Sequence, residues 1–240
     1  MKREGVLVGL TLITLLASAT SYGADDCVIL LHGLARSADS MTPVARRLEE
    51  EGYAVVNQGY PSRKHEIAEL AERFVPLGID ACRQQDTDRI HFVTHSLGGI
   101  LVRQYLARHS LEALGHTVML GPPNRGSQVV DNWKDVPGYG LLNGPTGRQL
   151  GTDEHSVPLQ LGPVRFPVGI IAGTRSINLI LSQSLPNPDD GKVSVENTKV
   201  DGMSDHLEVP HSHPFLMRPT RVHDQIVHFL EHGRFDRSTP

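Results

Sequence analysis

The sequence predicts an α/β fold: a mostly parallel, doubly wound sheet with helices on both faces. Apolar, strand-like runs alternate with helix-like segments along the chain, and this alternation is typical of parallel sheets. The first strand-like run, residues 27–31, is continuously apolar, which indicates a strand that is covered on both faces. The 240 residues show no internal repeat, and this length suits a single domain with a substantial core.

The other elements follow from hydrophobic periodicity and from helix start and stop signals. The segment 66–82 has helical spacing, although Pro76 and Gly78 interrupt it. Further strands are predicted over 53–57, 89–94, 116–120, 167–172 and 207–209, and further helices over 43–52, 98–109 and 221–232.

The first two dozen residues have the pattern of a secretory leader. Lys2 and Arg3 precede an apolar run over 6–16, and small residues follow that run. This order predicts a signal peptide over 1–23 and a mature domain over 24–240, in the periplasm or outside the cell. The alternative is an uncleaved anchoring helix, although the run is about half of the roughly 20 residues that span a bilayer. The cut follows Ala19, Gly23 or Ala24.

Charge and cysteine content restrict the partners and the covalent structure. The net charge of −4 gives no basic surface for phosphate groups, so nucleic acid is not expected as a partner. Two cysteines, Cys27 and Cys82, allow one disulfide in an exported chain, or else two buried thiols.

The segment 129–163 interrupts the regular pattern. It is rich in glycine and proline, and so long an insertion in a compact domain is usually functional or mobile. Two interpretations stay open: a cap or lid-like excursion over a pocket, or a poorly ordered surface loop.

Ser96 is the candidate nucleophile. A serine hydroxyl must stand clear of the backbone and contact a base, and a sharp strand-to-helix turn with small flanking residues meets the first need. Here an apolar strand ends at Thr94 and a helix begins near Gly98. Gly98 fits the G-x-S-x-G pattern, whereas Thr94 departs from it. The alternative is a serine that caps a helix.

Two backbone amides are candidates for an oxyanion hole, which would stabilise the charge that develops on a carbonyl oxygen under attack. Leu97 follows the serine at the helix start. The amide of Leu34 is the second candidate, because the buried strand at 27–31 leads into His32 and Gly33, and glycine allows close approach of the backbone. We expect His32 to shape this loop without transferring protons.

An acid and a base are expected after the strand at 167–172. Asp190 stands directly before a glycine and is our choice for the acid, with Asp189 as the alternative and an ordinary Asp-Gly turn as the structural explanation. The base should lie beyond the last strand, at the carboxyl edge of the sheet. His211 and His213 both lie there, and we favour His213, the further along the loop.

Five segments together resemble the bacterial lipase and esterase branch of the α/β-hydrolases. They occur in the family's order and span most of the mature chain. They are Leu-Leu-His-Gly-Leu at 30–34, Phe-Val-Thr-His-Ser-Leu-Gly-Gly at 92–99, Gly-Pro-Pro-Asn-Arg-Gly-Ser at 121–127, Asp-Gly-Lys-Val-Ser-Val at 190–195 and Asp-His-Leu-Glu-Val-Pro-His-Ser-His at 205–213.

The resemblance implies the α/β-hydrolase fold and a triad in the order serine, acid, histidine. In such proteins the aspartate before glycine is the acid and the histidine that closes the last segment is the base. These roles fall on Asp190 and His213. Lipases often carry histidine where this chain has Asn124, so the resemblance does not extend to lipid specificity. The chain also has no clear counterpart of the calcium site of some secreted lipases.

The family's sheet order also bears on the cysteines. It places the strand at 27–31 beside the strand at 89–94, with Cys27 opening the first and Cys82 shortly before the second. The resemblance therefore implies a structural disulfide between them, at the edge of the sheet away from the active site.

These inferences predict a secreted serine hydrolase, of esterase or lipase type, that cleaves carboxylic esters through an acyl-enzyme. The substrate is a small-molecule or lipid ester, transient contact with a membrane surface is allowed, and no metal or organic cofactor is required. One alternative is an acyltransferase that uses the same triad. Another is a non-catalytic binding protein on this scaffold, which predicts the loss of at least one of Ser96, Asp190 and His213.

Overall fold

The computed structural model describes residues 26–238 and contains six strands and nine α-helices within that range. The predicted leader over 1–23 lies outside these residues. The strands are β1 Asp26–Leu31, β2 Ala54–Gln58, β3 Arg89–His95, β4 Leu114–Leu120, β5 Val168–Gly173 and β6 Asp205–Val209. The helices are α1 Thr42–Glu50, α2 Ile67–Arg83, α3 Leu97–Leu106, α4 Gln128–Trp133, α5 Tyr139–Arg148, α6 Val157–Gln160, α7 Leu179–Ser182, α8 Val195–Thr198 and α9 Thr220–His232.

The six strands form one sheet in the order β2-β1-β3-β4-β5-β6, and every neighbouring pair is parallel. This confirms the predicted doubly wound α/β class. Because parallel strands share one direction, the loops that leave β1, β3, β5 and β6 meet at the same carboxyl edge of the sheet. The fold therefore brings residues from distant parts of the sequence to that edge.

Helices cover the sheet on both faces, and each face has its own apolar core. On one face, α1 and α9 pack on side chains such as Val28 and Val118. On the other face, α2 and α3 pack on side chains such as Ile29 and Phe92. Alternate residues of the same strands thus enter opposite cores, which explains why β1 is apolar throughout.

Two stretches differ from the sequence-based expectation. Helix α2 runs unbroken through Pro76 and Gly78, and the glycine has a packing reason, since a Cβ there would lie 2.8 Å from the Ile29 side chain. The segment 129–163, expected to be irregular, contains most of α4 and all of α5 and α6. Between residues 26 and 238, no helix is long and apolar enough to cross a membrane.

The predicted disulfide between Cys27 and Cys82 is present, with Cα atoms 5.7 Å apart. It joins the start of β1 to the last turn of α2, at the amino edge of the sheet. Asp26 lies beside it and accepts two hydrogen bonds from Arg89, at 3.0 and 2.8 Å, and one from His91, at 3.2 Å. The disulfide and this buried cluster together hold the edge of the sheet opposite the candidate site.

Candidate active site

Ser96 lies on a sharp turn between β3 and α3. Its backbone has φ 53° and ψ −117°, and such a conformation costs a non-glycine residue about 1–3 kcal/mol. The sheet holds the turn, because the Ser96 N–H donates to the carbonyl oxygen of Leu120 at 2.9 Å. Ser96 therefore has the strand-to-helix setting that the sequence predicts.

Small residues around the turn let α3 approach the sheet. A Cβ at Gly98 would overlap the carbonyl oxygen of Leu31 at the end of β1, so only glycine fits. Thr94 stands where the usual pattern has glycine, and a second glycine compensates for it. A Cβ at Gly99 would lie 3.2 Å from the Thr94 hydroxyl and 3.0 Å from the Met119 sulfur, so Gly99 leaves room for the branched side chain.

His213 lies beyond β6, in the 3₁₀ turn His213–Phe215, and its ring contacts Asp190. The Nδ1–H of the ring donates to Oδ2 of Asp190 at 2.7 Å, and the His213 N–H donates to the Asp190 carbonyl oxygen at 2.9 Å. The second carboxylate oxygen accepts the N–H groups of Lys192 and Val193, both at 2.9 Å. These bonds fix the carboxylate and leave Nε2 as the acceptor of the His213 ring.

The alternatives for the acid and the base make other contacts. Asp189 accepts the Ser182 hydroxyl at 2.5 Å and the Gly191 N–H at 2.7 Å, so its carboxylate holds the local turn. His211 is not among the described residues that line the cavity of Ser96. Of the four residues that the sequence offered, the geometry pairs only Asp190 with a histidine of this cavity.

Two backbone N–H groups face no acceptor in their own segments. Leu97 is the first residue of α3, where an N–H has no partner within the helix. The Leu34 N–H makes no hydrogen bond within residues 26–238. The Leu34 loop comes close to the nucleophile turn, because a Cβ at Gly33 would lie 2.7 Å from Nδ1 of His95. The loop of Leu34 and the turn that leads into Leu97 therefore lie side by side.

The loop that carries Leu34 is held by its neighbours. The Nδ1–H of His32 donates to the Gly33 carbonyl oxygen at 2.9 Å, and Nε2 accepts the Tyr60 N–H at 3.3 Å. The His32 and Tyr60 rings stack with centroids 4.1 Å apart, and the Ala35 N–H donates to the Ser62 hydroxyl at 3.0 Å. Burial lowers the pKa of His32, which favours the neutral ring that these bonds require.

His95 joins the nucleophile turn to the loop of His213, a role that no local pattern of the sequence indicates. Its Nε2–H donates to the His213 carbonyl oxygen at 3.0 Å, and the two ring centroids are 4.8 Å apart. Desolvation lowers the pKa of His95 well below its usual value, and the His213 ring beside it acts in the same direction. Because His95 is neutral, it places no positive charge beside the His213 ring.

Ser96, Asp190 and His213 line one cavity of about 380 Å³ at the carboxyl edge of the sheet. Its apolar wall comes from Leu34 and from residues of the 129–163 segment, among them Val129, Val130 and Leu150. A second cavity of about 560 Å³ lies at the far end of α3 and contains none of the predicted site residues.

A buried arginine fastens the far end of the 129–163 segment. Arg103 of α3 donates to the carbonyl and side-chain oxygens of Asn124, both at 3.0 Å, and to the carbonyl oxygens of Pro158 at 3.1 Å and Gly162 at 2.7 Å. Asn124 in turn donates to the Thr198 carbonyl oxygen at 2.8 Å. The asparagine that replaces the histidine of lipases therefore has a structural role here, as the acceptor of a buried cation.

Comparisons with known proteins establish the fold. No protein-family model and no curated protein matches the chain. Among solved structures, the mature lipase BlEst2 of Bacillus licheniformis is similar over 87% of this chain and 93% of its own, with a TM-score of 0.69 and 16% identity.

Two further similar structures point to the same fold. Phospholipase PlaB of Legionella pneumophila matches over 72% of this chain and 45% of its own, with a TM-score of 0.59 and 19% identity. A metagenomic carboxyl esterase matches over 79% and 65%, with a TM-score of 0.59 and 18% identity. The chain therefore has the α/β-hydrolase fold.

Proposed function

We propose that the chain is an exported serine hydrolase that cleaves carboxylic esters, with Ser96 as nucleophile, His213 as base and Asp190 as the acid that orients His213. The observation that carries the proposal is the 2.7 Å hydrogen bond from His213 to a buried Asp190, in the same cavity as a serine on a strained turn. The structural neighbours that are lipases, a phospholipase and an esterase support the same class of reaction.

The reaction proceeds in two steps. Nε2 of His213 takes the proton of the Ser96 hydroxyl while the oxygen attacks the ester carbonyl carbon. The N–H groups of Leu34 and Leu97 hold the oxyanion, and Asp190 stabilises the charged imidazole. The tetrahedral intermediate then expels the alcohol, which takes the proton from His213. Water, deprotonated by His213, attacks the acyl-enzyme, and the second tetrahedral intermediate releases the carboxylic acid while the Ser96 oxygen takes its proton back from His213.

The 129–163 segment forms a cap over the acyl-binding part of the site in this proposal. Val129, Val130 and Leu150 supply apolar surface to the cavity, and burial of acyl methylene groups there stabilises the bound ester by about 0.8 kcal/mol for each methylene group. The acyl chain length that gives the highest kcat/KM then indicates the depth of the cavity beneath the cap.

A series of p-nitrophenyl esters of increasing acyl length tests the activity. We expect Ser96→Ala to abolish turnover across the series, and Ser110→Ala, at an exposed serine outside the cavity, to match the wild type. A fluorophosphonate should modify the wild type once, on the peptide that contains Ser96. Equal rates for wild type and Ser96→Ala would refute the assignment of the nucleophile.

Export is the second part of the proposal. The disulfide between Cys27 and Cys82 supports it, because such bonds persist in oxidising compartments. In a bacterial host, we expect the full-length chain to yield a periplasmic protein whose mass corresponds to cleavage near residue 23. Recovery of the uncleaved mass from the membrane fraction would contradict cleavage and support a membrane-anchored enzyme.

A further inference from the structure

The cavity of Ser96 carries an excess of positive charge. Arg36 and Lys192 both line it, and among its described lining residues the only acidic one is Asp190. That carboxylate is buried and already accepts hydrogen bonds from His213, Lys192 and Val193. Asp190 thus supplies one negative charge against the two cations, so a net positive charge remains among the described lining residues.

The two cations have fixed backbones and side chains without a counter-ion. The Arg36 N–H donates to the Gly33 carbonyl oxygen at 3.3 Å. The Lys192 N–H donates to Asp190, and the Lys192 carbonyl oxygen accepts the Ser127 hydroxyl at 2.6 Å. Within residues 26–238, neither side chain forms an ion pair. The cavity thus presents two positive side chains on hydrogen-bonded loops, neither of them in direct contact with a carboxylate of the described residues.

The two cations lie on two different loops of the site. Arg36 is two residues beyond Leu34, on the loop that supplies one oxyanion donor, and Lys192 is two residues beyond Asp190, on the loop of the acid. Surrounding protein desolvates the Lys192 ammonium and lowers its pKa, although Asp190 opposes this shift. Both residues are exposed to solvent overall, and a charge-assisted hydrogen bond from such a cation to an anionic ligand is about twice as strong as one between neutral groups.

We propose that the preferred substrates are esters that combine an apolar acyl chain with an anionic group, phosphate or carboxylate, on the alcohol side, and that Arg36 and Lys192 bind this group. The acyl chain then lies against the apolar wall of Leu34, Val129 and Leu150. This inference rests on the proposed esterase activity and adds the charge of the substrate. It also gives Arg36 and Lys192 a role, since the triad chemistry itself requires neither cation.

Three substrates with the same acyl group test the proposal: octanoyl glycerol, octanoyl glycerol phosphate and octanoyl glycerate, each below the concentration at which it forms micelles. They differ only in the group beside the ester, which is neutral, a phosphate or a carboxylate. We expect kcat/KM for at least one anionic ester to exceed that of the neutral ester by about tenfold or more, as a hydrogen bond to a charged group allows. The favoured anion identifies phosphate or carboxylate as the ligand.

Variants assign the preference to the two residues. In Arg36→Gln with Lys192→Gln, we expect the ratio of kcat/KM for the favoured anionic ester to that for the neutral ester to fall to about one. The Lys192 substitution keeps the backbone N–H that binds Asp190. The matched control is Arg46→Gln, an exposed arginine of α1 outside the cavity, which should keep the wild-type ratio.

The outcomes separate this inference from the proposed function. A wild type that hydrolyses the neutral ester at least as well as both anionic esters overturns the inference and leaves the esterase assignment intact. A preference that survives in the double variant also overturns it. If the wild type hydrolyses none of the three esters and is also inactive on p-nitrophenyl esters, the esterase assignment itself is overturned.

Discussion

The imidazole of His95 donates a hydrogen bond from Nε2 to the main-chain carbonyl oxygen of His213, at 3.0 Å. The residue directly before the proposed nucleophile is thereby fastened to the proposed base, which lies 118 positions further along the chain. Since β3 and the turn after β6 are otherwise separate segments, this bond sets the position of the His213 backbone relative to Ser96.

His95 is therefore a positioning residue, and its ring N–H donor should affect kcat more than the shape of its side chain does. We expect His95→Phe to lower kcat by about tenfold to a hundredfold with little change in KM, because a small displacement of a catalytic group is costly. His95→Gln keeps an N–H donor in reach of the same carbonyl and should retain most of the activity. Steady-state kinetics on a p-nitrophenyl ester measure both. Equal losses of kcat in the two variants would indicate a packing role instead.

The adjacent aspartates give a matched test of the acid. Asp190→Asn removes the carboxylate that binds Nδ1 of His213, so we expect kcat to fall by roughly a thousandfold or more. Asp189→Asn alters a carboxylate that binds Ser182 and Gly191, and its effect on kcat should be less than about tenfold. The measurement is kcat at saturating substrate. A larger loss in Asp189→Asn than in Asp190→Asn would reverse the assignment.

The disulfide should contribute to stability and leave catalysis unchanged. Cys27 and Cys82 are 55 positions apart, and a loop of that length implies a stabilisation of about 4 kcal/mol from the restricted unfolded chain. We expect the double variant Cys27→Ala with Cys82→Ala to lose about this much free energy of unfolding in urea titrations. Its kcat on a p-nitrophenyl ester should match the wild type, because the bridge lies at the opposite edge of the sheet. A fall in kcat without a loss of stability would contradict this separation.

Buried His91 should make the fold sensitive to mild acid. Desolvation lowers its pKa from 6.5 to about 4, although Asp26 opposes the shift, while His116 and Arg89 reinforce it. Between these two pKa values the unfolded chain binds a proton that the folded protein does not, so stability falls as the pH drops through this window. We expect the wild type to lose about 2 kcal/mol more than His91→Gln between about pH 7 and about pH 5.

Urea titrations at the two pH values measure that difference. The variant itself is the control for contributions from groups remote from His91, which are present in both proteins. If the wild type and His91→Gln lose the same free energy of unfolding over this range, His91 is not responsible for the acid sensitivity.

The sheet could be predicted because most of its strands contain a short apolar run followed by a turn, which is a local property of the sequence. The nucleophile turn could be predicted for the same reason, since Ser96, Leu97 and Gly98 are consecutive. The choice between Asp189 and Asp190 could not be made from spacing alone. It depends on which carboxylate points at His213, and only the packed loops determine that.

The roles of His95 and Arg103 depend entirely on tertiary contacts. Arg103 occupies an ordinary helical position in the sequence, yet its guanidinium reaches carbonyl groups of Pro158 and Gly162, more than fifty residues away. The short helices of the 129–163 segment escaped prediction because glycine and proline obscure helical periodicity there. Each of these features results from distant segments that meet in the folded chain.

The contact between Gly98 and the Leu31 carbonyl oxygen has a consequence for engineering. At this point α3 is in direct main-chain contact with the end of β1. No side chain lies between them, so side-chain volume does not determine their spacing. Volume-conserving exchanges in the two apolar cores should therefore leave this spacing unchanged. Thermostabilising substitutions are best sought in those cores, whereas position 98 does not tolerate any residue other than glycine.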